Sequence, residues 1–266
     1  MKKTSKGSEQ TILKNGFTIV ELLVAMTISL ITMGAVYSVY RSQQQSYIVQ
    51  DQVAAVQQNL RAAMYVMTRD IRMAGFNPTL QTAVTFGVTD AEADKIILSS
   101  DLDGGGDSDA NEIITYFLDN TTHQLKRNAG GGDQVVAENI EALGFAYSYD
   151  TANDGLADMS ANNFIIWAVD SDGDGSLDLN LDTNDDGVTN NADDADSDDI
   201  INGNALSSPI SVEAIKSVKI WLIARTDKRI KDYSDNNTYV VGNKIVTPEN
   251  GYMYRLMSET ARCRNL

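Results

Sequence analysis

Histidine and cysteine are almost missing from the 266 residues: there is one of each, His123 and Cys263. A single cysteine excludes an internal disulfide and every cysteine-based zinc motif. A single histidine excludes His-pair metal sites and leaves any Ser-His-Asp or Cys-His scheme resting on one residue beside a turn. Proline is nearly as scarce, at three, and none precedes Pro78, so nothing in the first 77 positions breaks a helix. Basic residues are outnumbered, 21 against 37 acidic, for a formal net charge of −16 with no basic block. That balance argues against nucleic-acid binding, where phosphate contacts need clustered Lys and Arg. Hydrophobic residues, at 42 %, are enough to build a core in one large domain or two small ones.

The first feature that is present is an apolar run. Residues 1–16 carry Lys2, Lys3, Lys6 and Lys14 against Glu9, and Phe17 to Tyr40 then contains a single charge, Glu21. A bilayer core needs about 20 apolar residues in a helix, and lysines ahead of the span keep that end cytoplasmic. A cleaved secretory signal has a shorter apolar region, about 7–15 residues, closed by a small-x-small site that is absent here. A plain signal anchor leaves Glu21 unexplained, because a carboxylate near the membrane centre costs at least about 2.5 kcal/mol.

Gly16-Phe17-Thr18-Ile19-Val20-Glu21 resembles the type IV prepilin signature. The resemblance implies that a membrane prepilin peptidase cuts between Gly16 and Phe17 and N-methylates Phe17. Glu21 would then neutralise the new amino terminus of a neighbouring subunit during assembly. Two buried charges that are costly alone become tolerable as a pair. The chain is thereby divided into a leader (1–16), a membrane or filament-core segment (17–45) and a head (46–266).

Beyond the apolar run, Val53, Val56, Leu60, Met64, Met67 and Ile71 are spaced by three and four, one face of a helix, with Arg61, Arg69, Asp70 and Arg72 off the stripe. The spacing predicts one helix from Phe17 to about Ala74, ended by a glycine cap at Gly75 and by Pro78. Strands are predicted over 95–99, 112–118, 124–127, 164–169 and 218–224, with order resuming from Val135 to Tyr149. The expected fold class is α+β, the back of the long helix against an antiparallel sheet. His123 is expected to be solvated, and Cys263 to be either a free thiol or a small buried apolar residue.

VVAENIEALGFAYSYD (135–150) and YRLMSETARCRNL (254–266) are similar to the PilW family of minor type IV pilins and, less closely, to the J-type minor pseudopilins of type II secretion. The resemblance implies the type IV pilin fold. It also implies a non-enzymatic role in a complex of minor pilins that primes assembly at or near the filament tip. The implied partners are other minor pilins, the major pilin, the prepilin peptidase and the inner-membrane assembly platform. The implied location is a single inner-membrane span with a periplasmic head, later at the cell surface in a pilus.

The second abundant feature is aspartate. Residues 170–199 hold 12 of them and no Lys, Arg or Glu. Against the twelve-position calcium loop, Asp182, Asn184, Asp186, Asn190 and Asp193 fall at positions 1, 3, 5, 9 and 12, with Gly187 at the sharp turn of position 6. Asp170, Asp172, Asp174 and Asp178 fit the same template twelve residues earlier, where Leu181 occupies position 12 and Asp182 is a candidate shared ligand. A weaker match joins Asp101, Asp103, Asp107, Asp109 and Glu112. Calcium would close these loops as a structural ion; the alternative is an acidic surface that needs no ion. Three functions stay open: minor pilin, secretion pseudopilin, and calcium-dependent adhesin at a filament tip. Paired carboxylates can serve a glycosidase, but here they lie in Gly- and Asn-rich loops spaced for metal, and the chain is read as no enzyme.

Overall fold

The computed structural model describes residues 16–80 and 84–265. The predicted leader, apart from Gly16, lies outside the described residues. A single helix, α1 (Ile19–Met73), crosses from one compact unit, residues 1–50, into a second, residues 51–266. In the first unit the helix is exposed as far as Ile48 and apolar on all sides from Ile19 to Tyr40 apart from Glu21, the pattern of a segment whose solvent is lipid. Its start is set by Thr18 and Glu21: the Thr18 N–H and Oγ1 donate to Glu21 Oε2 at 2.9 and 2.8 Å, and the Glu21 N–H donates to Thr18 Oγ1 at 3.2 Å. This is a capping box, in which side chains replace the partners that the first helical N–H groups lack.

In the second unit the predicted stripe is the buried face. Val56, Leu60, Met64, Met67 and Ile71 are all buried, and Val53 half-buried. The helix ends as expected at Gly75, whose φ of 77° only glycine adopts without strain. Thirteen strands follow among the described residues. A five-stranded antiparallel meander runs in chain order through β1 (Val88–Ala91), β2 (Lys95–Ser99), β3 (Ile113–Asp119), β4 (Gln124–Asn128) and β5 (Asp133–Glu138). The second sheet comprises β6 (Ile140–Tyr149), β7 (Ala168–Val169), β8 (Ser176–Asn180), β9 (Asn204–Ser211), β10 (Ile215–Arg225) and β13 (Tyr254–Arg262), in the order β13-β10-β6-β7-β8-β9. A hairpin, β11 (Tyr239–Val241) and β12 (Lys244–Val246), completes the unit.

Strands β6 and β10 are buried on both faces. Leu143, Phe145, Tyr147, Val218, Ile220 and Leu222 join the α1 stripe in the main core. Ala142, Ala146, Trp221 and Ile223 face a second cluster with Val241 and Tyr254. Two-sided burial explains why 140–149 reads as a continuous apolar run rather than an alternation. Gly144 lets the hairpin close in: a Cβ there would stand 2.4 Å from the Gly242 nitrogen.

Three expectations need correction. The order from Val135 to Tyr149 is two strands in different sheets, broken at Asn139, which takes φ 58°. Of 164–169 only Ala168–Val169 is a strand; Ile165 makes an isolated bridge to Met159, and Phe164 packs on a loop glycine instead. Asp70, off the apolar stripe, is buried at 6 % exposure. Its carboxylate accepts from Tyr116 Oη on β3 at 2.7 Å, Arg127 Nε on β4 at 2.8 Å and Arg69 Nη2 at 3.0 Å. The Asp70 charge and burial both push the Tyr116 phenol upward, burial the more. Cys263 is the buried alternative, its thiol pushed up to about 12 by burial, and His123 is half-buried, 3.9 Å from Glu141.

Removing one partner of a buried ion pair strands the other, at a cost of about 3–5 kcal/mol. Asp70→Ala is therefore expected to lower unfolding stability by about that amount in urea titrations. A loss below about 1 kcal/mol would show that Arg127 and Tyr116 hold the helix without it.

Candidate functional site

Two regions carry functional chemistry: the start of α1 and a set of aspartate loops. Phe17 is 89 % exposed just outside the capping box. Both hydrogen bonds that Glu21 accepts from Thr18 go to Oε2, so the cap occupies one carboxylate oxygen.

The loops share one construction. In each, an aspartate at position 1 accepts from the N–H of position 6, which lies at positive φ. Asp101 accepts from Gly106 at 3.1 Å, Asp150 from Gly155 at 2.8 Å, Asp170 from Gly175 at 2.8 Å and Asp182 from Gly187 at 2.8 Å. The four glycines take φ of 75°, 84°, 84° and 86°. A fifth copy begins at Asp194, which accepts from Asp199 at 3.1 Å, and Asp199 adopts φ 68° without being glycine. The position-5 aspartate accepts from position 7 in four copies: Asp154 from Leu156, Asp174 from Ser176, Asp186 from Val188 and Asp198 from Ile200.

Two of the five copies, at Asp150 and Asp194, are outside the sequence assignments. Their signals were there: Asp150 precedes Asp154-Gly155 at the template spacing, and Asp194 lies twelve residues after Asp182 as Asp182 does after Asp170. Asp158 and Asp178 occupy position 9 of their loops and accept from the hydroxyls of Thr151 and Ser171, each at 2.5 Å.

All five lie in connections between strands, and several tie separate sheets together. The Asp170 N–H donates to the Ala91 carbonyl of β1, and the Asp199 carbonyl accepts from Ile245 of β12. The 182–193 loop is braced from outside, since Asn162 donates to Asp185 Oδ2 at 3.2 Å and the Phe164 ring lies against Gly187.

Carboxylates converge in three groups among the described residues: Asp101, Asp103 and Glu112; Asp170, Asp172 and Asp174; and Asp194, Asp196 and Asp198, each with ligand atoms within 4.8 Å of one another. The loop with the fullest template match, 182–193, is not among them. It has Asn184 and Asn190 at positions 3 and 9, and Asp193 accepts from the N–H groups of Thr183, Asn184 and Asn190. Asp107 and Asp109 are outside the first group, and Asp178 outside the second. Crowding is felt where carboxylates gather: Asp107, burial, Asp103 and Glu112 all raise the Asp109 carboxyl above its ordinary value. Glu112 is instead held low, the N–H groups of Asp109, Leu102 and Asp103 outweighing burial and Asp101. These acidic clusters can hold a metal ion: hard oxygens at alternate positions around a glycine turn are the donor set of a divalent cation.

A long apolar N-terminal helix with a capped carboxylate, leading into an antiparallel head, defines a type IV pilin-like protein. Residues 109–265 match the family described as Type IV Pilus-assembly protein W, residues 13–37 the Prokaryotic N-terminal methylation motif, and residues 49–139 Prepilin peptidase-dependent protein B. The first match spans more than half of the chain, and the chain belongs to the type IV pilus-assembly protein W family. A solved structure, the Type IV-like pilin TTHA1219 from Thermus thermophilus, is similar with a TM-score of 0.44 and 12 % identity over 79 % of this chain and 97 % of that one. No curated protein sequence matches the chain.

The loop glycines separate backbone strain from packing. A Cβ at Gly175 meets nothing within 4 Å, whereas one at Gly187 would lie 2.5 Å from the Phe164 ring. Gly175→Ala is expected to cost about 1–2 kcal/mol from left-handed backbone alone, and Gly187→Ala more. In a Phe164→Ala background the Gly187→Ala cost should fall to the Gly175→Ala value. A double-mutant cycle by denaturant titration checks this, and strict additivity would refute the contact.

Proposed function

We propose that this family member is a minor pilin, a non-enzymatic subunit that joins other minor pilins in a complex priming filament assembly at or near the tip. The observation that carries the reading is the start of α1: an exposed apolar segment, Phe17 to Tyr40, whose one carboxylate, Glu21, sits in a cap three residues after Thr18. The prepilin peptidase would cut between Gly16 and Phe17, and Phe17 would become the N-methylated terminus of a chain held by a single span in the inner membrane. Because the cap uses Oε2 of Glu21, Oε1 remains to accept from the ammonium of a neighbouring subunit. A pair formed in lipid needs no partner switch, and its geometry sets the stagger between subunits. The head would reach the periplasm, and then the cell surface, on the assembly platform and with the major pilin.

Calcium is the ion the loops suit best. Asp170, Asp172, Asp174 and Asp178 would hold one, Asp182, Asn184, Asp186, Asn190 and Asp193 a second, and Asp101, Asp103, Asp107, Asp109 and Glu112 a third. The support is the repeated backbone turn and the convergence of carboxylates within 4.8 Å in two of those three loops. The ion's chemistry would be charge neutralisation in loops that join strands, with no catalytic step.

Glu21→Gln keeps a hydrogen-bonding side chain but removes the charge. The variant should be processed to the mature length yet be depleted at least tenfold from sheared filaments relative to wild type; equal incorporation would sink the pairing role. For the ion, a site of about 10⁻⁴ M affinity at about 2 mM calcium gains about 1.8 kcal/mol, several degrees in a thermal melt. The rise should occur in calcium and not in magnesium, and shrink in Asp182→Ala/Asp186→Ala. Identical melts in EDTA, magnesium and calcium would leave the loops as acidic surface.

A further inference from the structure

The two larger sheets have four edges, and three of them are blunted. Strand β1 has four residues and a register shift, β5 has six and a shift in its pairing with β4, and β9 carries Pro209 beside another shift. These are the devices by which proteins prevent strands from adding at an edge. The fourth edge has none of them. Strand β13 pairs with β10 at nine consecutive positions without a shift and contains neither proline nor glycine.

Along this edge, α1 and β13 form a groove of 440 Å³. Arg61, Arg69 and Arg72 line its helix wall, and Arg264 follows β13 on the other side, facing a single carboxylate, Glu259. In a chain with 37 acidic and 21 basic residues, this is a local reversal of sign. Arg61 and Arg264 make no hydrogen bond or ion pair with the described residues, and the Arg72–Glu259 pair is long, 3.9 Å, and about half exposed, a geometry worth little. The floor is apolar, with Met64 and Met257. It also holds Thr68, 4 % exposed, whose Oγ1 has no hydrogen-bond partner among the described residues. From Arg61 to Arg72 the helix rises about 16 Å, the length of about five residues of extended chain.

We propose that this groove receives an extended acidic segment of a partner protein, which adds to β13 as a seventh strand and places alternate carboxylates against the arginines. Main-chain hydrogen bonds to β13 would supply affinity, and the guanidinium groups of Arg61, Arg264 and the weakly paired Arg72 would select for acidic side chains, Arg69 being held by Asp70. The groove shares no residue with the acidic loops or the apolar part of α1, so it stands or falls separately from calcium binding and from the role of Glu21.

The test uses the full chain in detergent micelles and a fluorescent, end-capped octapeptide of alternating Glu and Val, read by anisotropy. Binding should be sub-millimolar, and at least tenfold weaker for the Gln-Val peptide and for the Arg61→Gln/Arg264→Gln variant. N-methylating either the Glu or the Val amides blocks one edge of the peptide, so one of those two peptides should also lose binding. Amide exchange along β13 should slow when the unmodified peptide is bound. Undiminished binding of both N-methylated peptides, or equal binding of the Gln peptide, would overturn the proposal, as would no binding at all. Salt-sensitive self-association without peptide, lost in the arginine variant, would make the occupant a second copy and overturn the partner assignment.

Discussion

The carboxylate of Asp70 holds the second unit together in a literal sense. It is buried near the end of α1 and takes hydrogen bonds from Tyr116 of β3, Arg127 of β4 and its neighbour Arg69. A buried charge with three donors is specific about where those donors stand, which an apolar stripe is not. Methionines at 64 and 67 tolerate small slides of a helix over a sheet, and the Asp70 cluster does not. Setting the helix against the first sheet in this way defines the face on which β6 and β10 complete the core, and beyond β10 the edge at which β13 ends.

The same chemistry, carboxylate oxygens receiving N–H groups, recurs at the surface with the opposite consequence. In the five aspartate turns the backbone satisfies part of each carboxylate, but in three of them, at Asp101, Asp170 and Asp194, the negative charges remain close together. Burial raises the Asp196 carboxyl, and Asp198 and Asp194 raise it further. At Asp150 the N–H groups of Gly155, Asp154 and Asn153 overcome burial and hold the carboxyl low. One turn is thus either self-sufficient or short of positive charge, depending on how many aspartates share it. A cation resolves the second case by neutralising several charges at once, and the crowded loops at Asp170 and Asp194 also tie β7 to β1 and β8 to β9.

The start of α1 and the edge at β13 follow one logic of satisfied and unsatisfied groups. At Thr18 and Glu21 the first turn of α1 is closed by its own side chains, which lets a helix begin in a medium that offers no water. At β13 the opposite holds, and a long regular edge leaves main-chain groups open beside unpaired arginines. An assembly subunit has use for both: a helix that is complete before it meets its neighbours, and an edge that is not.

Local signals determined a good deal of this protein. Lysines before an apolar run, a lone glutamate behind Gly-Phe-Thr, a three-four stripe from Val53 to Ile71 and Gly75 before Pro78 each arise from neighbours along the chain, so the helix, its end and its apolar part were legible. So were β2, β4 and β10, and the calcium-type spacing from Asp170 to Asp193. The tertiary structure alone decided whatever depends on residues distant in sequence. Asp70 lies off the apolar stripe, and nothing local marks it as buried because Tyr116 and Arg127, its partners, lie 46 and 57 residues away. Phe164 to Trp167 has strand composition, yet only Ala168–Val169 finds a ladder, because strand formation requires an available edge as well as β-branched and aromatic residues. Carboxylates converge at Asp194, Asp196 and Asp198, whereas the better-spaced set from Asp182 has Asn184 and Asn190 at two of its positions and an Asp193 that accepts from the N–H groups of Thr183, Asn184 and Asn190. Spacing along a chain determines a turn; which distant strands that turn ties together is decided by the sheets that carry it.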